Sequence, residues 1–130
     1  MRKFKFEKLV RDKIPDKILI NKKNKIDFKI LNKKEFLKSL RDKFFEELEE
    51  LDLNSKDDAV KELADLQLII DSCLEALEIK QKDFKKIFKN KNIENGKFSK
   101  RIYIKTVEID KNDKWLPYYE SKYNKYKEIK

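Results

Sequence analysis

The stretch FFEELEELDLNSKDDAVKELAD, Phe44 to Asp65, decides the fold. Leading into it, Leu37, Leu40, Phe44, Leu48 and Leu51 recur at three- and four-residue steps, the period of one helix face. Asn32 and Glu35 stand before this run at capping-box spacing, N-K-K-E. The spacing predicts a helix that starts after Asn32 and ends near Leu53. Ser55 to Asp58, S-K-D-D, is a second start signal. Beyond it Ala59, Val60, Leu63, Leu66, Ile70, Cys73, Leu74 and Leu77 mark one face of a second helix. The connection is so short that the two helices are expected to fold back as an antiparallel hairpin.

The same stretch is an electrostatic anomaly. From Phe45 to Asp65 nine acids face two lysines, a charge of −7 in a chain of +9, which leaves +16 elsewhere. An α-helix turns about 100° per residue, so the apolar faces fix where the acids point. Glu47 falls roughly 60° and Glu50 roughly 120° from the apolar centre of the first helix, with Glu46 and Glu49 farther out. On the second helix Glu62 falls roughly 80° and Asp65 roughly 140° from the centre, in the same rotational sense. Equal offsets on antiparallel helices land on one side of a hairpin. Glu47, Glu50, Glu62 and Asp65 are therefore expected to share a flank, with Glu47 and Glu62 at similar height. Carboxylates gathered in this way repel one another and raise one another's pKa. A divalent cation relieves the repulsion, and oxygen ligands suit Mg²⁺ or Mn²⁺. The competing reading is a solvated acidic face. A calcium loop is disfavoured, because D-L-N-S-K-D-D at 52–58 has Lys56 and no Gly where an EF-hand needs a ligand and a turn.

Composition narrows the rest. The 130 residues suit one domain, 1–130, with a core that 39% hydrophobic and 45% charged residues keep thin. A single Gly and two Pro disfavour a β-sandwich or a Gly-rich phosphate loop. The absence of His removes histidine acid–base chemistry and most zinc sites. The lone Cys73 excludes an intrachain disulfide and reads as a buried structural thiol. No apolar run approaches the ~20 residues that cross a bilayer, and MRKFKFEKLV lacks a signal-peptide core. The expectation is a cytoplasmic protein without membrane contact.

Outside the hairpin, residues 3–10, 26–31 and 101–109 alternate and are expected to be extended arms or short strands. Asp12 is a candidate cap for a short helix through Pro15. A third helix is predicted from about Gln81 to Lys91, a turn at Asn95-Gly96, and a helix after Pro117 that aligns Tyr119, Tyr123 and Tyr126.

The pair Glu46-Glu47-Leu48-Glu49-Glu50 and Glu62-Leu63-Ala64-Asp65 resembles the E-E-x-x-E and E-x-x-D motifs of the all-α nucleoside triphosphate pyrophosphohydrolases, the MazG-like and phosphoribosyl-ATP pyrophosphohydrolase-like superfamily. KLVRDKIPDKI, Lys8 to Ile18, is similar to the opening signature of a small house-cleaning branch of that superfamily. FKIL before the first helix, and Lys91 through Gly96 and Phe98 to Lys100-Arg101-Ile102, also fit, so the resemblance spans about residues 7–104. Its Gly-Gly-Phe turn reads Gly96-Lys97-Phe98 here, and residues 105–130 form an aromatic, basic tail that it does not cover. The resemblance implies Mg²⁺-dependent cleavage between the α- and β-phosphates of a nucleotide, giving a monophosphate and pyrophosphate. It implies metal ligation by Glu47, Glu50, Glu62 and Asp65, with Glu46, Glu47 and Glu50 as catalytic carboxylates. Lys8, Arg11, Lys13, Lys91 and Arg101 are the candidate phosphate contacts. Arg11 stands out because the chain has only four Arg against 30 Lys, and a guanidinium grips phosphate through paired donors.

Two other readings use the same residues. A basic nucleic-acid-binding module would draw on the positive remainder and the tyrosines of the tail. A non-catalytic helical interaction protein would need the hairpin alone. The expectation is an all-α, hairpin-based bundle with short extended arms, completed to a four-helix bundle by a homodimer. The base and sugar of a nucleotide substrate are not written in the sequence.

Overall fold

The computed structural model describes residues 1–130, and its regular structure is entirely helical. The helices are α1 (Ile14–Ile18), α2 (Lys33–Glu50), α3 (Lys56–Ala76), α4 (Gln81–Asn95) and α5 (Leu116–Ser121). The arms at 3–10, 26–31 and 101–109 form neither helix nor strand. The chain divides into two compact units, Met1–Lys91 and Asn92–Lys130. No helix is long and apolar enough to cross a membrane.

The start of α2 is set by the capping box. The Asn32 side chain accepts from the Glu35 amide at 2.9 Å, and the Glu35 carboxylate accepts from the Asn32 amide at 3.3 Å. The Lys29 ammonium and the Asn32 amide hold the Glu35 carboxyl below its ordinary pKa. Helix α2 ends at Glu50, short of the expected Leu53. Leu51 is already extended, and the Asp52 carboxylate accepts from the Asn54 amide at 2.9 Å, an Asx turn that competes with further helix. Ser55 then caps α3 as the sequence indicates: its hydroxyl oxygen accepts from the Asp58 amide at 3.5 Å.

Helix α3 closes in a Schellman motif. The Ile79 amide donates to the Leu74 carbonyl at 2.8 Å and the Glu78 amide to the Glu75 carbonyl at 3.0 Å. Glu78 takes the left-handed position that glycine ordinarily fills, at φ +57°. Helix α4 runs past the expected Lys91 to Asn95, where Gly96 at φ +77° ends it.

Two local expectations are corrected. Lys13, not Asp12, occupies the N-cap of α1, and no side chain caps it. The Ile14 amide instead donates to the Arg11 carbonyl at 3.0 Å, and Pro15 lies in the first turn. In the second unit α5 stops at Ser121, so Tyr119, Tyr123 and Tyr126 do not line one helix. The chain turns back and sets Tyr126 edge-on to Tyr119 and tilted against Tyr118, with ring centroids 5.0 and 5.8 Å apart, and Trp115 meets Tyr118 edge-on at 5.9 Å. Tyr123 stays exposed.

The main packing contact in the molecule is α2 against α3, the expected hairpin. Its core is thin. Only Leu40, Ala59, Ile69 and Leu74 are buried apolar residues. Both helices are also rotated from the orientation that the apolar spacing indicates. Leu48, Val60, Leu63 and Leu77, all expected inside, are about half exposed or more, while Glu47 is buried and Glu62 half-buried. The rotation turns the acids toward the seam between the helices and the apolar shoulder toward solvent.

The capping box fixes where the hairpin begins, so Asn32→Ala is expected to lower stability by about 1 kcal/mol. Urea unfolding followed by far-UV circular dichroism reads this as a lower midpoint at unchanged slope.

Candidate metal centre

Glu47, Glu62 and Asp65 each point a carboxylate oxygen into one space, and those oxygens lie within 4.8 Å of one another. The hairpin places them. Successive residues differ by about 100°, so Glu50 stands to Glu47 as Asp65 stands to Glu62, roughly 60° round to the same flank. Leu48 and Leu63 stand roughly 100° the other way. The sequence-derived shared flank is thus present in altered form: Glu47 and Glu62 occupy the seam itself, with Asp65 beside them. Glu50 is exposed and lies outside the three-carboxylate group, on the rim of the seam near the turn.

Glu47 is 7% exposed, the only buried charged residue of the molecule. Its Oε2 atom and that of Glu62 are both buried and accept no hydrogen bond. Lys43 is the nearest cation, with Nζ 3.7 Å from Glu47 Oε1. Burial drives the Glu47 carboxyl above the ordinary pKa, the neighbouring Glu62 carboxyl and the Asp65 charge push the same way, and Lys43 opposes them. The fold therefore favours the protonated acid. Ionising Glu47 costs stability, a cost absent below the unfolded carboxylate pKa and growing as the pH rises through and above it.

The donor set fits a small hard divalent ion. Three carboxylates supply oxygen only, two oxygens lack any partner, and the accumulated negative charge has incomplete compensation. The residues present match Mg²⁺ or Mn²⁺ better than softer metals, since no His contributes and Cys73 is not in the group. Cys73 is half-buried, not buried as its apolar helical context indicates, and what burial it has raises its thiol pKa.

Glu46 looks elsewhere. Its Oε1 accepts from Lys8 Nζ at 3.2 Å and from Lys43 Nζ at 3.1 Å. Burial raises its carboxyl, but the Lys43 and Lys8 ammonium groups together outweigh that, and the net pKa falls below the ordinary value. Of the candidate phosphate contacts, Lys8 and Arg11 reach the acids, the latter with Nη2 2.5 Å from Asp65 Oδ1. Lys13 and Lys91 are exposed and make no ion pair. Arg101 belongs to the second unit, at φ +55°. The residue that sequence reasoning missed is Lys43. Its signal was its position three and four residues before Glu46 and Glu47, the spacing at which helical ion pairs form. Lys8, Ser39, Asp42, Lys43 and Glu46 line a cleft of about 110 Å³ that Glu47, Glu62 and Asp65 do not line.

Comparison with protein-family models, with curated proteins and with solved structures returns no match for this chain.

Because a buried charge is the cost of the site, Glu47→Gln in metal-free protein is expected to raise the melting temperature by a few degrees at pH 7. The gain is expected to vanish at pH 4 or below, where Glu47 is protonated anyway. Thermal unfolding of both proteins in chelator across that pH range checks the sign.

Proposed function

We propose that the protein is a divalent-metal-dependent nucleoside triphosphate pyrophosphohydrolase that cleaves between the α- and β-phosphates. The observation that carries the reading is the buried Glu47 carboxylate, which has one oxygen without a partner and groups with Glu62 and Asp65. A hairpin gains nothing in stability from such a group, because an unpaired buried carboxylate is costly. It gains a place for a cation. The resemblance of Glu46–Glu50, Glu62–Asp65 and Lys8–Ile18 to the MazG-like enzymes supplies the reaction class, and Mg²⁺, with Mn²⁺ as substitute, the ion.

In this reading Glu47, Glu62 and Asp65 would hold the ion, and Glu50 stands one turn along beside them. A divalent ion supplies charge neutralisation at the phosphates and a more acidic attacking water. A free carboxylate orients that water and takes its proton. Glu50, exposed and without an ion pair, is open to do so, whereas Glu46 is occupied by Lys8 and Lys43 and sets their positions. Lys8 and Arg11, already beside the acids, are the cations that meet phosphate.

A homodimer belongs to the proposal. The cleft next to Glu46, which none of the three clustered carboxylates lines, is about 110 Å³, whereas small-molecule sites enclose ~300 Å³ or more. One chain does not surround a nucleotide there. The hairpin also leaves Phe45, Leu48, Val60 and Leu63 between 48% and 61% exposed. By helical geometry these four lie on the flank away from Asp65, Phe45 and Val60 being the counterparts of one another on the two helices. Packing that shoulder against its copy would bury apolar surface that the thin core leaves in water and complete a bundle of four helices.

Pyrophosphate release from a panel of canonical and modified nucleoside triphosphates tests the activity. Release is expected to require Mg²⁺ or Mn²⁺, and to fall by a factor of about 100 or more in Glu47→Gln. Metal-independent release, or full activity in that variant, would remove the site from the reaction. Sedimentation velocity tests the assembly: the native chain is expected to run as a dimer, and Leu63→Lys to shift it toward monomer with lower activity.

A further inference from the structure

Arg11 occupies the carboxylate that the proposed metal needs. Its Nη2 donates to Asp65 Oδ1 at 2.5 Å, while Lys8 Nζ donates to Glu46 Oε1 at 3.2 Å. The segment from Lys8 to Arg11 therefore reaches both α2 and α3 through these two pairs. The pairs leave the seam unbalanced. Arg11 compensates Asp65, whose side chain is 34% exposed, but the buried Oε2 atoms of Glu47 and Glu62 keep no partner. A monovalent side chain at the rim leaves the buried Oε2 atoms unpartnered, whereas a divalent ion among the three carboxylates would offset more of their charge.

We infer that Arg11 is an exchangeable counter-ion of the site. It neutralises Asp65 in the metal-free protein, leaves when a divalent ion takes that position, and is then free to grip an anionic phosphate. The inference rests on the metal-site reading above and adds a coupling to it. Three features make the exchange cheap. The Arg11 side chain is 56% exposed, so it swings into water without disturbing packing. Its carbonyl is fixed by the Ile14 amide at 3.0 Å, so the backbone stays in place while the side chain moves. A guanidinium carries five N–H donors, and this pair uses one, so the group arrives at a phosphate with its bidentate face available.

The chemistry has a direction. Arg11 and a divalent ion compete for Asp65, whereas Arg11 and the ion both attract phosphate. Anion binding draws Arg11 off the carboxylate and so favours the ion. The ion in turn releases Arg11 and so favours the anion. The two ligands assist one another by equal factors, as linkage requires. Lys43 does not share this role: it is held by both oxygens of Glu46, at 3.1 and 3.2 Å, and its side chain is only 20% exposed.

Two measurements test the exchange on the full-length chain. The first is Mn²⁺ affinity by electron paramagnetic resonance for the native protein, Arg11→Gln and Lys13→Gln. Loss of the competing counter-ion is expected to tighten Mn²⁺ binding about tenfold in Arg11→Gln. Lys13→Gln removes the same charge two residues away and is expected to change nothing. Equal affinities in native protein and Arg11→Gln, or equal gains in both variants, would overturn the inference while leaving the metal site standing. The second is the Arg11 Nε–H resonance in ¹⁵N-labelled native protein, assigned by its loss in Arg11→Gln and followed through a Mg²⁺ titration. It is expected to move to a solvent-exposed position as Mg²⁺ saturates. A resonance that stays put under saturating Mg²⁺ would also overturn the exchange. Absence of Mn²⁺ binding in every protein would refute the metal reading, and the inference with it.

Discussion

Glu47 sits where a helical hairpin ordinarily places a leucine, and the rest of the first unit follows from that. A carboxylate at 7% exposure, with one oxygen unpartnered, has to be tolerated by everything around it. The hairpin offsets the cost partly by bringing Lys43 within 3.7 Å, which opposes the upward pKa shift that burial and the neighbouring acids impose. The apolar residues give way: the helices turn so that the acids face the seam, and Leu48, Val60 and Leu63 are left at the surface. A hairpin selected for burial alone would rotate back, because each half-exposed leucine forgoes roughly 1 kcal/mol of transfer free energy. The observed rotation places charge above packing, the usual mark of a site rather than of a scaffold.

The positive charges are arranged in the same spirit. Lys8, Lys43 and Arg11 converge on Glu46, Glu47 and Asp65 from the helix and from the segment before α1. In a chain with 30 lysines most basic groups are solvated decoration. These differ by being paired with the acids of the hairpin. The exposed pairs among them add little to stability, since solvent screens them. They do hold cations next to a region of negative potential, which is where a metal-bound polyphosphate would need them.

The hairpin, its short turn and both caps were legible in the sequence, because each rests on local chemistry. N-K-K-E and S-K-D-D satisfy amide groups within three residues, whatever the rest of the chain does. The acid group was legible as residue types on one flank. Its depth was not. Angular reasoning from the apolar stripe placed Glu47 beside the interior, whereas the packed pair centres it there, because facing helices choose their rotation jointly. The Asx turn at Asp52 that stops α2 early, and the chain reversal that brings Tyr126 to Tyr119, depend on backbone choices without periodicity. Lys43 was visible by spacing, yet it carried no mark among so many lysines until Glu46 and Glu47 were fixed in space.

The distribution of aromatic residues between the two units has a practical side. Trp115 and all five tyrosines, 103, 118, 119, 123 and 126, lie in Asn92–Lys130, while Met1–Lys91 contains phenylalanine as its only aromatic type. Tyrosine and tryptophan fluorescence thus watches the second unit alone. Far-ultraviolet dichroism is dominated by α2 and α3 of the first, the two longest helices. The molecule carries a separate optical probe for each unit, and comparing the two signals during unfolding reads directly whether the carboxylate hairpin and the tyrosine cluster melt as one cooperative body or as two.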